Sequence, residues 1–438
     1  MREGNRRSTR RAFIQAGLTA GALPYVVPGS VYGQGDRPAP SDRITLGVIG
    51  TGGRGRGDMQ GLMQDGRIQV VAVCDVQKTN LQEAARMVNT FYAKTGSGPA
   101  CTTHGDFREV LGRGDVDAVL IATPDHWHAI PAIQACAAGK AVYCEKPLAL
   151  TIEQGQKMVQ AVQRYGVVFQ TGTQQRSESR FRRACELVRN GRLGTVHTVE
   201  VEIPGSMETD RYDFGPVPEG LDYDLWLGPA PQAPYSPLRV DAFGWRWIFD
   251  YAGGCVTDWG AHHVDVVQWA LGTTRSGPVE FEGQGHFPER GLFNTATHWR
   301  YEARYASGVR LVCFAKEPFK HTYPNGIRFV GEKGELFVSR SEIRAKPESI
   351  LTEQIGPEEV HLYKSDDHYR NFVDSIVSKK PVAAPVDEAH RSVTICHLAN
   401  IAMRLGRKIR WDPDREQIID DHEAQRMFSR PMRSPWRL

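Results

Sequence analysis

Five polar side chains in two short stretches of this sequence have the types and spacing to do chemistry. Glu145 and Lys146 stand before Pro147 in "AVYCEKP", and Asp258, His262 and Asp265 stand in "TDWGAHHVDVVQWALG". On a helix, Asp258, His262, Asp265 and Trp269 recur at spacings that share one face. Val264, Val267 and Leu271 fall on another face that can pack. The spacing therefore predicts a polar stripe of two carboxylates and an imidazole. A cation stabilises a developing alkoxide, and an imidazole accepts a proton. His263 points about 100° away from His262 and is the weaker base. Plainer readings compete. Thr257 or Asp258 can cap the helix, the histidines can be satisfied core residues, and Lys146 alone can be a surface lysine in a turn. Metal binding by Asp258, His262 and Asp265 is a third possibility. No metal is expected.

A second pattern, "GVIGTGGRG", follows an apolar run. Gly50, Gly52 and Gly55 form G-x-G-x-x-G, with Thr51, Gly53 and Arg54 between them. The first glycine permits a tight turn, the second lets backbone approach a pyrophosphate, and the third allows close helix–strand packing. The N–H groups at the start of the following helix bind phosphate. Asp75 ends the next strand, where a carboxylate hydrogen-bonds ribose hydroxyls and repels a 2′-phosphate. NAD is expected over NADP, although Lys78 lies close by. A glycine-rich turn with a surface Asp is the bland alternative. Arg54 adds charge near the pyrophosphate or is solvated.

These groups need elements to hold them. From residue 44, short β-rich runs ("ITLGVIG", "IQVVAVCD", "DAVLIATP", "AVYCEKP", "VVFQTGT") alternate with helix-like stretches. That alternation predicts a parallel, doubly wound sheet. After residue 176, "SRFRRACELVRNGRLG" reads as a helix, and strand-like runs with alternating polarity then dominate, as in a mostly antiparallel sheet with one face buried. The tail "DDHYRNFVDSIVSKK" and "DEAHRSVTICHLANIAMRLG" reads as helical. The fold class is α/β. A Rossmann domain over 42–176 precedes a second α/β domain with a large open sheet over 177–438, and residues 1–35 stand apart.

The stretch "IATPDHWHAIPAIQACAAGKAVYCEKPLA", together with the glycine turn, "GTQQR", "GGCVTDWGAHHVDVVQWALG" and "HYRNFVDSI", resembles the Gfo/Idh/MocA oxidoreductases, the group of glucose–fructose oxidoreductase and inositol dehydrogenase. The resemblance implies a Rossmann domain and an open-sheet domain that often forms the oligomer contact. It implies that Lys146 sits between nicotinamide and substrate. Through the Asp258-x-x-x-His262 motif it implies that His262 is the base, with Asp258 beside it. The expected cofactor residues are Gly50, Thr51, Gly52, Gly53, Arg54, Gly55, Asp75, Thr123, Pro124, His128, Glu145, Lys146 and Gln175. The expected substrate residues are Lys146, Arg176, Arg246, Asp258, His262 and Asp265. His126 and Gln174 are lesser candidates. Trp245 is placed to reach substrate beside Arg246, and Trp226 either stacks on a sugar or anchors a loop.

Near the start, "STRRAFIQAG" sets paired arginines before a mild apolar run, which resembles a twin-arginine export signal. That run is too short to stay in a bilayer, which takes about 20 residues. Export would carry a folded, cofactor-loaded protein to the periplasm. The first 35 residues hold five Arg and one Glu, so the formal charge of +3 leaves the remainder close to neutral. That argues against nucleic acid as a partner. The eight cysteines are scattered without C-x-x-C and read as buried thiols. The leading expectation is a periplasmic oxidoreductase acting on a sugar or polyol hydroxyl with tightly bound NAD(P), as a homodimer or homotetramer. A redox-neutral, NAD-dependent glycosidase working through a transient keto-sugar is the alternative. A non-catalytic dinucleotide sensor is a third.

Overall fold

A computed structural model describes residues 42–94, 100–318 and 325–438, together with residue 39. The paired-arginine segment, and with it the expected export signal, lies outside the described residues.

The first sheet is built from β1 (Ile44–Ile49), β2 (Ile68–Cys74), β3 (Thr102–His104), β4 (Ala118–Ile121), β5 (Ala141–Cys144) and β6 (Phe169–Thr171). Its order is β3-β2-β1-β4-β5-β6, and every pairing is parallel. Leu46, Val48, Val70, Val73, Leu120 and Val142 are fully buried. Their strands carry helices on both faces, which explains continuous apolar runs rather than alternation. The helices include α1 (Gly53–Met63), α2 (Lys78–Lys94), α3 (Ala129–Ala137) and α4 (Ile152–Tyr165). Strand order reverses between β1 and β4. At such a switch point the loops leaving the carboxyl ends of the strands diverge and open a crevice. Gly50 follows β1, Thr123 follows β4, and Glu145 and Lys146 follow β5. Only β3, short and mostly exposed, escaped the sequence pattern.

The second sheet contains β7 (Val196–Glu202), β8 (Pro278–His286), β9 (His298–Tyr305), β10 (Arg310–Ala315), β11 (Gly326–Gly331), β12 (Gly334–Val338), β13 (Ile343–Lys346), β14 (Ile409–Asp412) and β15 (Gln417–Ile419). Its order is β13-β12-β11-β7-β10-β9-β8-β14-β15. The β7–β10 pair is parallel and the other pairs are antiparallel. Along β9, buried Trp299, Tyr301, Ala303 and Tyr305 alternate with more exposed residues. One face is thus packed, by α5 (Ser179–Arg189), α7 (Gly260–Leu271) and α9 (Val386–Leu405).

Two helices depart from the expected layout. The predicted continuous helix through "TDWGAHHVDVVQWALG" is two pieces, α6 (Cys255–Asp258) and α7, joined at Trp259. The tail helix α8 (His368–Ser378), capped by Asp367, packs on the first sheet. Its Phe372 and Val373 share a core with Leu46, Val48 and Tyr143. Val386, Ala389 and Val393 of α9 join another first-sheet core, while its Ile395, Leu398 and Ala402 join the second-sheet core. A helix lodged between two sheets is apolar on more than one side.

Candidate active site

The glycine turn has the stereochemistry its sequence demands. Gly50 has φ +84°, and a Cβ there would meet the backbone of Ala122 and Thr123 at 2.7 Å. A Cβ on Gly55 would stand 2.0 Å from the Gly50 carbonyl oxygen. Gly52 and Gly53, at the N-terminus of α1, have open space where their Cβ atoms would be. The first N–H groups of a helix lack intrahelical partners, so this opening fits a phosphate. Asp75 closes the far side of the turn. Its carboxylate accepts from Thr51 N at 2.7 Å, Thr51 Oγ1 at 3.1 Å and Gln77 N at 2.8 Å. Burial pushes this carboxyl upward, against those hydrogen bonds. Beside it Lys78 N donates to Gly220 O, and Gln77 bridges to Leu221 of the second domain.

Across the crevice, Lys146 meets the second domain. Its Nζ donates to Asp258 Oδ1 at 2.7 Å and to Asp258 O at 3.2 Å. The two side chains keep 16% and 15% of their surface in solvent. Arg246 Nε lies 3.6 Å from the same Asp258 Oδ1, with its guanidinium 4.2 Å over the Trp245 ring. Although burial opposes it, the charge of Lys146 and then of Arg246 holds the Asp258 carboxylate below its usual range. His262, in the first turn of α7, is buried, and its Nδ1 has no partner. Burial, then Lys146 and Arg340, hold its proton affinity well below that of a free imidazole. The expected trio of Lys146, Asp258 and His262 is therefore gathered in one place.

Other expected contacts are turned inward. Arg176 and Asp265 bind one another in a bidentate pair, at 2.6 and 2.8 Å. Glu388 takes the remaining Arg176 nitrogen, and Ser392 donates to Asp265 at 2.9 Å. With 3% and 2% of their side chains exposed, neither has a polar atom left for substrate, which corrects the expectation for both. The break at Trp259 and the buried position of Arg176 explain why Asp265 does not share a stripe with Asp258. The same divergence dissolves the Asp258, His262, Asp265 metal set. Arg54 is bound between Asp58 and Glu145, each at 2.8 Å, rather than left free at the glycine turn. Glu145 also accepts from Gln174 at 2.8 Å, so it is an anchor beneath Lys146. His128 is buried with its ring nitrogens against Pro147 O and Thr123 O, which ties the β4 and β5 loops together. Gln175 packs under His262, reaching its backbone oxygen at 3.1 Å in the amide orientation that satisfies both ends. Thr123 Oγ1 is buried without a partner beside Pro124. His126 Nε2 donates to Trp226 O at 3.0 Å. Trp226 is a packing anchor, stacked on Tyr223 and edge-on to Tyr251.

Two residues at the site went unnoticed in the sequence. Asp125 is buried next to the trio, and burial, reinforced by Asp258, pushes its carboxyl up to about 8. It lies within "ATPDHWH", so its place at a strand end was the available signal. Arg340 follows β12 and stands over the Trp259 ring at 4.9 Å. Nothing local in "FVSRSE" marks it, because the β11–β12 hairpin delivers it from far along the chain.

This geometry agrees with comparison to known proteins. Residues 44–173 match the family described as "Oxidoreductase family, NAD-binding Rossmann fold". Residues 206–438 match its partner, "Oxidoreductase family, C-terminal alpha/beta domain". The chain belongs to the Gfo/Idh/MocA oxidoreductase family. The two matches cover an NAD-binding Rossmann domain and a C-terminal α/β domain, the two-sheet architecture described above. Among Gfo/Idh/MocA relatives, the myo-inositol 2-dehydrogenase of Thermotoga maritima is 23% identical over 84% of this chain and 99% of its own. The uncharacterised oxidoreductase YrbE of Bacillus subtilis is 27% identical over 41% of this chain and 47% of its own. A glycosyl hydrolase family 109 protein of Shewanella baltica is 30% identical over 35% of this chain and 37% of its own. The chain thus spans less than half the length of those last two relatives. The WlbA dehydrogenase of Bordetella pertussis, solved with NADH and UDP-GlcNAcA, shares the fold with TM-score 0.64 at 20% identity, covering 84% of this chain and 99% of its own.

Proposed function

We propose that this chain transfers a hydride between tightly held NAD and the hydroxyl-bearing carbon of a sugar or polyol derivative. The observation that supports this most is the Lys146–Asp258 pair, formed between the two domains beside the glycine turn. The turn from Gly50 to Gly55, with Asp75, would hold the dinucleotide, whose nicotinamide accepts or returns hydride when bound. An ammonium has three donors. Two of those on Lys146 go to Asp258, which leaves one for a substrate oxygen. That donor stabilises alkoxide as charge develops. The hydroxyl proton needs an acceptor, and the ring of His262, kept neutral by burial and then by the charge of Lys146, is the imidazole beside it. Asp258 fixes the aim of Lys146, and Glu145 steadies the loop beneath it.

The test is to purify the full chain, identify the released dinucleotide by mass spectrometry, and screen sugars and polyols for a change in reduced-nicotinamide absorbance. Protein that emerges empty and needs micromolar NAD added would remove tight retention. A panel with no responder would remove the dehydrogenase assignment. The similarity to the family 109 hydrolase supports a second reading, glycoside cleavage without net redox change. Sugar release from a chromogenic glycoside, with no added NAD and no NADH gained, would favour it. The paired arginines support export of the loaded protein to the periplasm, and assembly through the second sheet as a dimer or tetramer completes the proposal. Cell fractionation and light scattering test these two points.

A further inference from the structure

We infer that the substrate is an anionic sugar derivative, whose carboxylate or phosphate is received by the guanidinium of Arg340 together with that of Arg246. This rests on the dehydrogenase assignment and narrows its substrate class.

Guanidiniums elsewhere near the crevice have carboxylate partners. Arg54 lies between Asp58 and Glu145, and Arg176 between Asp265 and Glu388. Arg340 differs. Among the described residues no carboxylate comes within ion-pair distance of it, and Glu178 acts on it only at longer range. It is held instead by the face of Trp259 at 4.9 Å and by the Gln175 side-chain oxygen at 3.2 Å from its Nε. Arg246 must share one oxygen of Asp258 with Lys146, and from the longer distance. Its guanidinium is likewise carried on an indole face. Aromatic platforms orient a guanidinium without neutralising it.

The charges around the reacting position do not cancel. Lys146, Arg246 and Arg340 supply three cations; Asp258 is the ionised carboxylate between the first two, Glu145 is taken up by Arg54, and Glu178 reaches Arg340 only at longer range. Asp125 keeps its proton at neutral pH, since burial pushes it up to about 8. His262 and His263 are neutral for the same reason. A partly enclosed site with uncompensated positive charge attracts anions and binds them with charge-assisted, bidentate geometry. Both arginines belong to the second domain, in the Gly244–Trp247 turn and just after β12. The dinucleotide phosphates have their own receptor at the start of α1. The surplus charge therefore faces the substrate.

The experiment compares kcat/KM of the purified holoenzyme for uronates and aldonates, for sugar phosphates, and for the matching neutral sugars, at low and high salt. Acids should exceed their neutral counterparts by about 10-fold or more at low salt, and the arm that wins separates carboxylate from phosphate. Arg340→Gln should pull the acid-to-neutral ratio toward one through KM, and Arg340→Lys should restore part of it. Neutral sugars turned over as well as acids by the unmodified enzyme would overturn the inference and leave the dehydrogenase assignment standing. If no sugar of any charge alters the bound nicotinamide, that assignment fails and the inference with it. If Arg340→Gln releases dinucleotide while the ratio holds, Arg340 serves the cofactor and the inference is wrong.

Discussion

Two ion pairs lie seven residues apart on α6 and α7, and they behave oppositely. In each, a cation from a loop leaving the first sheet meets an aspartate of the second domain: Lys146 with Asp258, and Arg176 with Asp265. In the second pair every charged atom has a partner, with Glu388 on the remaining Arg176 nitrogen and Ser392 on Asp265. The first keeps a free donor, a competing arginine and a window to solvent. Similar chemistry thus makes a bolt where each charged atom is partnered and buried, and an accessible pair where a donor stays open.

Breaking the bolt should have the largest effect. Arg176→Leu leaves Asp265 and Glu388 buried without their cation, so unfolding in urea should show a loss of about 3–5 kcal/mol. Loss of turnover with stability intact would erase the distinction between the pairs. Lys146→Met should do the reverse, lowering kcat by about 100- to 1,000-fold with the thermal midpoint little changed. The pH profile sharpens the contrast further. As pH rises through about 8, Asp125 ionises and adds a second negative charge beside Asp258. For that reason kcat/KM should decline there, and Asp125→Asn should remove the decline. No inflection is expected near 6.5, where a free imidazole titrates, because His262 is already neutral. The smallest effect is Ser392→Ala, which removes one bond to Asp265 and should cost about 1 kcal/mol while kcat stays constant.

Much of this was legible in the chain. The glycine spacing, Asp75 and the continuous apolar strands reflect constraints within a single turn or strand, which local sequence records directly. Lys146, Asp258 and His262, marked by short motifs, also come together in the structure. What escaped were relations between distant segments. Asp265 looked equivalent to Asp258 until Arg176, 89 positions away, was seen to bind it. Arg54 looked free until Glu145 came to meet it. Arg340 depends on a hairpin whose reach no periodicity encodes. The second sheet was predicted from alternation, but β13, β14 and β15 are short and lie toward its edges, where the pattern is weakest.

The helix α9 contributes to both cores, and this governs how the crevice can breathe. To swing the lobes apart, the molecule would have to strip oil from both flanks of one rod, at about 25 cal/mol for each Å² wetted. Gaping of the whole cleft is therefore disfavoured against fraying of the small loops at its mouth.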